Sequence, residues 1–360
     1  MDGFKNIEIR NFRGIDTLKI DDFSRVNVFL GQNSSGKSSV LEALLLLAGM
    51  SNPDLPLSLN KSRTRNFRIA YLQETRYQFY NLNLNITPNF SAQQFDGVTR
   101  HLQMRLVYTD SEDDGIYSID EPLVFSDATR MPNTIEMLFD ITSNQKTKHF
   151  RSSLFVNQSD VPSRQEPAKE YVEKYCAVLF SSDLLSSNLG TDLSELFKRK
   201  QKDLLLKHLQ IFDARINAIE ILNNDVYIGF EDIKEMLPVS MSGDGLRRFL
   251  NIVAGSANPK NTMILIDEID NGLHYSAYKK LWEAIFALAT TTNKQVFVTT
   301  HSKETLSHLN EMLEEHPEYQ QEMRLYTIEN TKLKGHQAYK LTYDGLHEAC
   351  SNDIELRSIV

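Results

Sequence analysis

Apolar and polar residues alternate from Phe4 to Ile9 and again from Leu18 to Ile20, with Arg13-Gly14 between them. A period of two predicts two half-buried strands joined by a turn. Val26 to Leu30 is almost continuously apolar and predicts a buried strand. Val40 to Ala48 is apolar nearly all round, which predicts a helix enclosed by the core.

From about Ser51 to Asn157 the pattern changes. Asn52-Pro53-Asp54 and the stretch 60–68 predict exposed loop. Tyr77–Ile86, Gln103–Tyr108, Ile116–Phe125, Thr134–Thr142 and Lys148–Val156 are β-rich and separated by turns such as 111–115, so they predict an antiparallel sheet. The polar stretch 157–170, with Pro162 and Pro167, predicts a loop, and 176–180 a short strand. Leucines at 193, 196, 204, 205, 206 and 209 predict an amphipathic helix over 193–212 without sustained heptads. Further on, strands are expected at 218–222, 226–230, 263–266, 295–299, 325–328 and 338–342, and helices at 245–254, 275–289 and 345–350.

The chain has 360 residues, 41% hydrophobic and 24% charged, enough for one large domain or two with a substantial core. A net charge of −9 argues against a uniformly basic nucleic-acid-coating protein. Cys176 and Cys350 lie in no CxxC pattern, which fits a reducing cytoplasm rather than a disulfide framework or structural zinc site. The first twelve residues lack the apolar core of a signal peptide, and no run reaches 18 uninterrupted apolar residues. A soluble cytoplasmic protein without membrane contact is expected.

Between the buried strand and the apolar helix stands Gly31-Gln-Asn33-Ser34-Ser35-Gly36-Lys37-Ser38-Ser39, which fits the phosphate-loop pattern GxxxxGK[ST]. Strand, loop and helix in that order give the pattern its structural meaning. The loop amides and the helix N-terminus are expected to face phosphates, Lys37 to reach the β- and γ-phosphates, and Ser38 to hold Mg²⁺.

Met263 to Glu268 is an apolar strand ending in two acids. Beside a phosphate loop, Asp267 is expected to hold Mg²⁺. Glu268 is expected to polarise the attacking water, a role that contributes roughly 10²–10⁴-fold. Gln295 to Thr299 leads to His301, the expected hydrogen-bonding sensor of the γ-phosphate. Ser242-Gly243-Asp244-Gly245 precedes a helix, with Ser242 resembling a cap, and its exposed amides form a second candidate anion site.

These four elements, in this order, resemble the ATP-binding-cassette (ABC) ATPases, with SGDG similar to the family signature SGGQ. The opening Ile7-Glu-Ile-Arg-Asn-Phe-Arg-Gly14 and GxNxxGKSS resemble the SMC, RecF and OLD-type branch. Asp267 to His274, Thr300-His301-Ser302 and Asp353 to Arg357 are most similar to its OLD-like, AAA-annotated members. The resemblance implies an α/β fold of the P-loop NTPase class: an ABC-type ATPase head with a mixed central sheet, an antiparallel β elaboration and a helical subdomain. It implies one discontinuous head over 1–360. Residues 1–50 form the P-loop lobe, 51–190 the β-rich insertion, 191–235 a helical and strand segment, 236–345 the signature, acid-pair and histidine lobe, and 346–360 a tail.

The resemblance further implies ATP and Mg²⁺ as ligands, hydrolysis to ADP and phosphate, and His301 as the switch histidine. It implies a homodimer in which Ser242, Gly243 and Gly245 of one subunit complete the ATP site of the other. It suggests a separately encoded effector in anti-phage defence or DNA repair. About sixty residues follow His301 without a Glu…DxD set, so no Toprim nuclease is expected here. Gln73, Gln78 and Gln158 are candidates for the Q-loop glutamine, and Ser181-Ser182 for the same neighbourhood. Lys61 to Arg68 and Lys198 to Lys202 are candidate DNA contacts and equally candidate solvated faces. Arg10 and Arg13 are candidates to pack near the nucleotide, and Arg247 and Arg248 to support the dimer site. The alternative is an ATP-dependent DNA-binding or scaffold protein with little turnover.

Overall fold

The computed structural model describes residues 2–61, 74–108, 132–156, 162–181, 189–223, 225–258 and 260–358. Its centre is a mixed six-stranded sheet in the order β16-β15-β3-β14-β13-β9. The strands are β3 (Val26–Leu30), β9 (Ala177–Phe180), β13 (Met263–Ile266), β14 (Gln295–Thr299), β15 (Met323–Thr331) and β16 (Gly335–Leu341). All run parallel except β16, which pairs antiparallel with β15. β3, β13 and β14 are buried along their whole length, as near-continuous apolar strands are when both faces of a sheet are covered.

One covering layer is the apolar helix α1 (Lys37–Ala48). Beyond it lies a seven-stranded antiparallel sheet in the order β2-β1-β4-β5-β6-β7-β8. These strands are β1 (Ile7–Phe12), β2 (Ile15–Ile20), β4 (Asn89–Gln93), β5 (Thr99–Val107), β6 (Thr134–Ser143), β7 (Lys146–Val156) and β8 (Pro162–Glu166). Leu41, Leu44, Phe90, Leu102 and Phe297 share one core between the two sheets. A helix so sandwiched has no solvent face, which explains why its apolar residues show no stripe.

The opposite face of the mixed sheet carries α3 (Leu189–Lys198), α4 (Lys202–Phe212), α5 (Asp244–Ala257), α6 (Tyr278–Thr291), α7 (Lys303–Glu315) and α8 (Tyr343–Ser351). The hairpin β10 (Ile216–Leu222) and β11 (Asp225–Phe230), with the short β12 (Leu237–Pro238), forms a third sheet beside them. α2 (Leu55–Lys61) follows α1. No helix among the described residues is long and apolar enough to cross a membrane.

Several expectations are corrected. Tyr77–Ile86 is not a strand: its first part forms two 3-10 turns, Arg76–Gln78 and Tyr80–Leu82, with Asn81 and Leu82 at positive φ. Pro162–Glu166, expected as loop, pairs at the edge of the antiparallel sheet, where proline is tolerated. The helix expected over 193–212 is broken. Lys200 adopts a left-handed φ of 58°, and Gln201 N and Lys200 N bond back to Leu196 O and Phe197 O, a helix-terminating motif. The 60–68 loop is in part helix, since Asn60 is buried within α2. Residues 62–68, the strand expected at 116–125, Gln73, Gln158 and Ser182 lie outside the described residues. Described elements with no counterpart in the pattern include β4, α2, β12, and α7 with its Ser302 cap.

Candidate functional site

Four parallel strands deliver their C-terminal ends to one edge of the mixed sheet, and the loops there carry the candidate residues. The loop 31–36 turns sharply from β3 into α1. Gly31 has φ 151°, and a Cβ there would stand 2.3 Å from Ile328 O of β15. Gly36 caps α1 at φ 101°. Ser34 is also left-handed, at φ 64°. Asn33 and Ser34 are exposed, Ser39 is half-buried, and Ser35 is buried with an Oγ that has no partner among the described residues.

Lys37 is buried and curls back over the loop. Its Nζ donates to Gly31 O and Gln32 O, both at 2.8 Å. Burial pushes its pKa down, while the charges of Asp267, Glu268 and Asp270 push it up. Beside it, Ser38 Oγ donates to Asp267 Oδ1 at 3.0 Å, across 229 positions of sequence. Thr299 Oγ1 donates to the same carboxylate oxygen at 2.6 Å and accepts from Glu268 N at 2.8 Å. Glu268 stands at φ 49°, a left-handed conformation that turns the chain sharply after β13.

His301 follows β14 with its side chain about half exposed, and its Nδ1 lies 3.7 Å from Asp270 Oδ2. Thr300 Oγ1 donates to Asp270 Oδ1 at 2.7 Å, so Asp270 orders both neighbours. The structure therefore gathers Gly31 to Ser39, Asp267, Glu268 and His301 at one edge. Hydroxyl and carboxylate oxygens at Ser38 and Asp267 suit a hard divalent cation. The unpartnered Ser35 Oγ and the buried Lys37 ammonium suit a phosphate chain.

Ser242, Gly243 and Gly245 lie at the start of helix α5, with Gly245 against Gly272 O and Leu273. Their helix α5 packs on α3, α4 and α6. The expectation that Ser242 caps this helix is corrected: its Oγ donates to Val239 O at 2.6 Å, and Gly243 is the N-cap residue. A Cβ at Gly243 would meet nothing within 4 Å. The helix nevertheless touches the acid pair from behind through Arg248, which donates to Asp267 O and Glu268 O.

Gln78, a Q-loop candidate, is buried and donates to Pro56 O and Asn60 Oδ1, a structural placement. Arg13 pairs with the buried Glu42 of α1, while Arg10 points outward to Glu8. Pattern reading missed Thr299 and Asp270. Their only trace was a polar residue closing a fully buried strand and a third acid three positions after the first.

A family model described as "AAA domain, putative AbiEii toxin, Type IV TA system" matches residues 26–307. The chain belongs to that family. An ATP/GTP phosphatase of Helicobacter pylori is 26% identical over 332 residues, spanning 86% of this chain and 88% of the relative. The DNA replication and repair protein RecF of Lactococcus lactis subsp. cremoris is 50% identical over only 44 residues, 12% of each chain. Among solved structures, an SMC head bound to the C-winged helix domain of ScpA is similar at TM-score 0.48 and 14% identity, covering 96% of this chain and 99% of that one. The SMC head domain from Thermotoga maritima is similar at TM-score 0.47 and 10% identity, covering 94% and 98%. The expected kinship with the AAA-annotated branch is borne out.

Proposed function

We propose that this AAA-family protein binds ATP with Mg²⁺ and hydrolyses it to ADP and phosphate. The observation that carries this reading is the 3.0 Å contact between Ser38 Oγ and Asp267 Oδ1, which joins the two halves of a phosphate-and-metal site. Ser38 and Asp267 would hold Mg²⁺, which would supply neutralisation of charge on the phosphates. Lys37 swings from its loop carbonyls onto the phosphate chain. Glu268 takes a proton from water as the water oxygen bonds to the γ-phosphorus. The bond to the bridging oxygen breaks, and that oxygen leaves with ADP. His301, oriented by Asp270, donates to the γ-phosphate. The full-length similarity to a protein named an ATP/GTP phosphatase supports this chemistry.

The site is completed by Ser242, Gly243 and Gly245 of a second copy in a head-to-tail dimer. The open space at Gly243 supports that arrangement. ATP binding closes the dimer and hydrolysis opens it, a two-state switch in the cytoplasm that is read by a separately encoded effector. The family's description as a putative toxin of a type IV toxin–antitoxin system supports a role in defence, with DNA repair as the other candidate setting. Glu268→Gln tests the assignment. It is expected to retain ATP, to slow phosphate release by about 100-fold or more, and to run as a dimer with ATP in light scattering. Hydrolysis by this variant at the wild-type rate would sink the proposal.

A further inference from the structure

The mixed sheet gives the nucleotide a direction. On one side of β3 lie β14 and β13, whose ends carry His301, Asp267 and Glu268. These groups belong at the γ-phosphate end. On the other side lie β15 and β16, and above them the start of β2. A triphosphate threaded along the loop with its γ-end at the acids must send its nucleoside towards β15, β16 and β2.

His336 stands there. It is the second residue of β16, immediately after the left-handed Gly335, and is only 6% exposed. Its ring lies against the phosphate loop: a Cβ on Gly36 would stand 3.4 Å from His336 Cδ2 and 3.5 Å from Nε2, with Ile15 Cδ1 at 3.5 Å. No described residue hydrogen-bonds to the ring, whose nitrogens keep access to solvent and so to a ligand. Burial pushes the His336 pKa down, and the charge of Asp16 pushes it up.

We propose that the His336 imidazole hydrogen-bonds the nucleoside half of the bound nucleotide, its ribose or base, and so helps set nucleoside recognition at this site. The inference rests on the nucleotide-binding reading above and deepens it. A polar ring beside Gly36, on the side away from the acids, with nitrogens open to solvent, is placed to meet the nucleoside.

Inorganic tripolyphosphate carries the phosphate chain without the nucleoside, so it separates contact from mere bracing of the loop. Calorimetric titration of the full chain with Mg·ATP and with Mg·tripolyphosphate is the test, using His336→Phe and His336→Ala. Phenylalanine keeps a ring against Gly36 and removes the nitrogens, so it reads the contact even if the alanine variant fails to fold. The expected result is ATP binding weakened about two- to tenfold by His336→Phe, the value of one hydrogen bond, with tripolyphosphate binding unchanged. Equal weakening for both ligands, or none for ATP, overturns the inference while leaving the ATPase reading intact. A wild-type chain that binds neither ligand overturns both.

Discussion

The guanidinium of Arg248 donates to two successive main-chain carbonyls, Asp267 O at 2.8 Å and Glu268 O at 2.5 Å. One side chain thus ties helix α5, with Ser242 to Gly245 at its start, to the acid pair. Burial lowers the Arg248 pKa, and the nearby Asp270, Glu268 and Asp267 raise it, so the charge is held by the acids it serves. Removing it frees a carbonyl at Glu268, whose left-handed φ of 49° needs support. Arg248→Met is expected to cost about 1–3 kcal/mol of stability and to lower kcat by about tenfold or more, with a smaller change in KM for ATP. Arg248→Lys is expected to fall between, because both bonds come from the one nitrogen Nη2 and an ammonium can donate there with a shorter reach. An unchanged kcat in the methionine variant would show that the link is not used in turnover.

Gly31 and Gly243 make an informative contrast. A Cβ at Gly31 would meet Ile328 O at 2.3 Å and Ser35 Oγ at 2.7 Å. Gly243 has an ordinary φ of −59° and open space around it. Gly31→Ala is therefore expected to lose about 1–3 kcal/mol of stability together with ATP binding. Gly243→Ala, which replaces the helix N-cap, is expected to cost about 1 kcal/mol at most. If the second subunit fills the space at Gly243, this stable variant still loses ATP-driven dimerisation and turnover. Thermal melts and phosphate release check both. Wild-type turnover by Gly243→Ala would count against completion of the site in trans.

Complementation gives a sharper check. Lys37→Ala damages the phosphate loop, and Ser242→Arg blocks the signature. Each variant alone is expected to be inactive. In a mixed dimer one site receives both defects and the other receives none. An equimolar mixture is thus expected to recover activity at about one quarter of all sites, by the symmetry of a head-to-tail pair. A mixture as inactive as its components would exclude the shared site.

How much of this was legible depended on whether a residue's role was written locally. Gly31 to Ser39 could be read because loop, strand and helix are contiguous, and the buried runs at 263–266 and 295–299 announce their strands without any partner. Thr299 and Asp270 were not legible, because what they do is set by hydrogen bonds to residues brought together only by the parallel sheet. Residues 193–212 misled for the opposite reason. The leucine pattern continues across Lys200, and only a backbone turn that any sequence rule assigns weakly breaks it. Tyr77–Ile86 has strand-like composition, yet no neighbouring strand takes up its whole length; only Phe79 pairs, with Phe12.

Lys294 supplies a prediction for pH. It is 5% exposed and donates to Ser256 O and, at 2.6 Å, to Asn258 O, closing the C-terminal end of α5. Burial pushes its pKa down from 10.5 to about 8, against the opposing pull of Asp192 and Cys176. Below pH 8 both the folded and the unfolded chain carry this proton, and the cost of burying the charge is fully present. Between about 8 and 10.5 the unfolded chain holds a proton that the folded chain has lost, so stability rises with pH. The gain from this residue is about 3 kcal/mol across that window. Tyr171, with its pKa raised to about 12 by burial, feels no charge from Lys294 and cancels against a Lys294→Met variant. Cys176, whose thiol burial pushes up and Lys294 pulls down, does not cancel, so both proteins are compared in a Cys176→Ser background. Urea unfolding of both proteins at pH 7.5, 9 and 10 is the measurement. The stability of the wild type minus that of the variant is expected to climb with pH, and a flat difference would mean that Lys294 keeps an ordinary pKa in the fold.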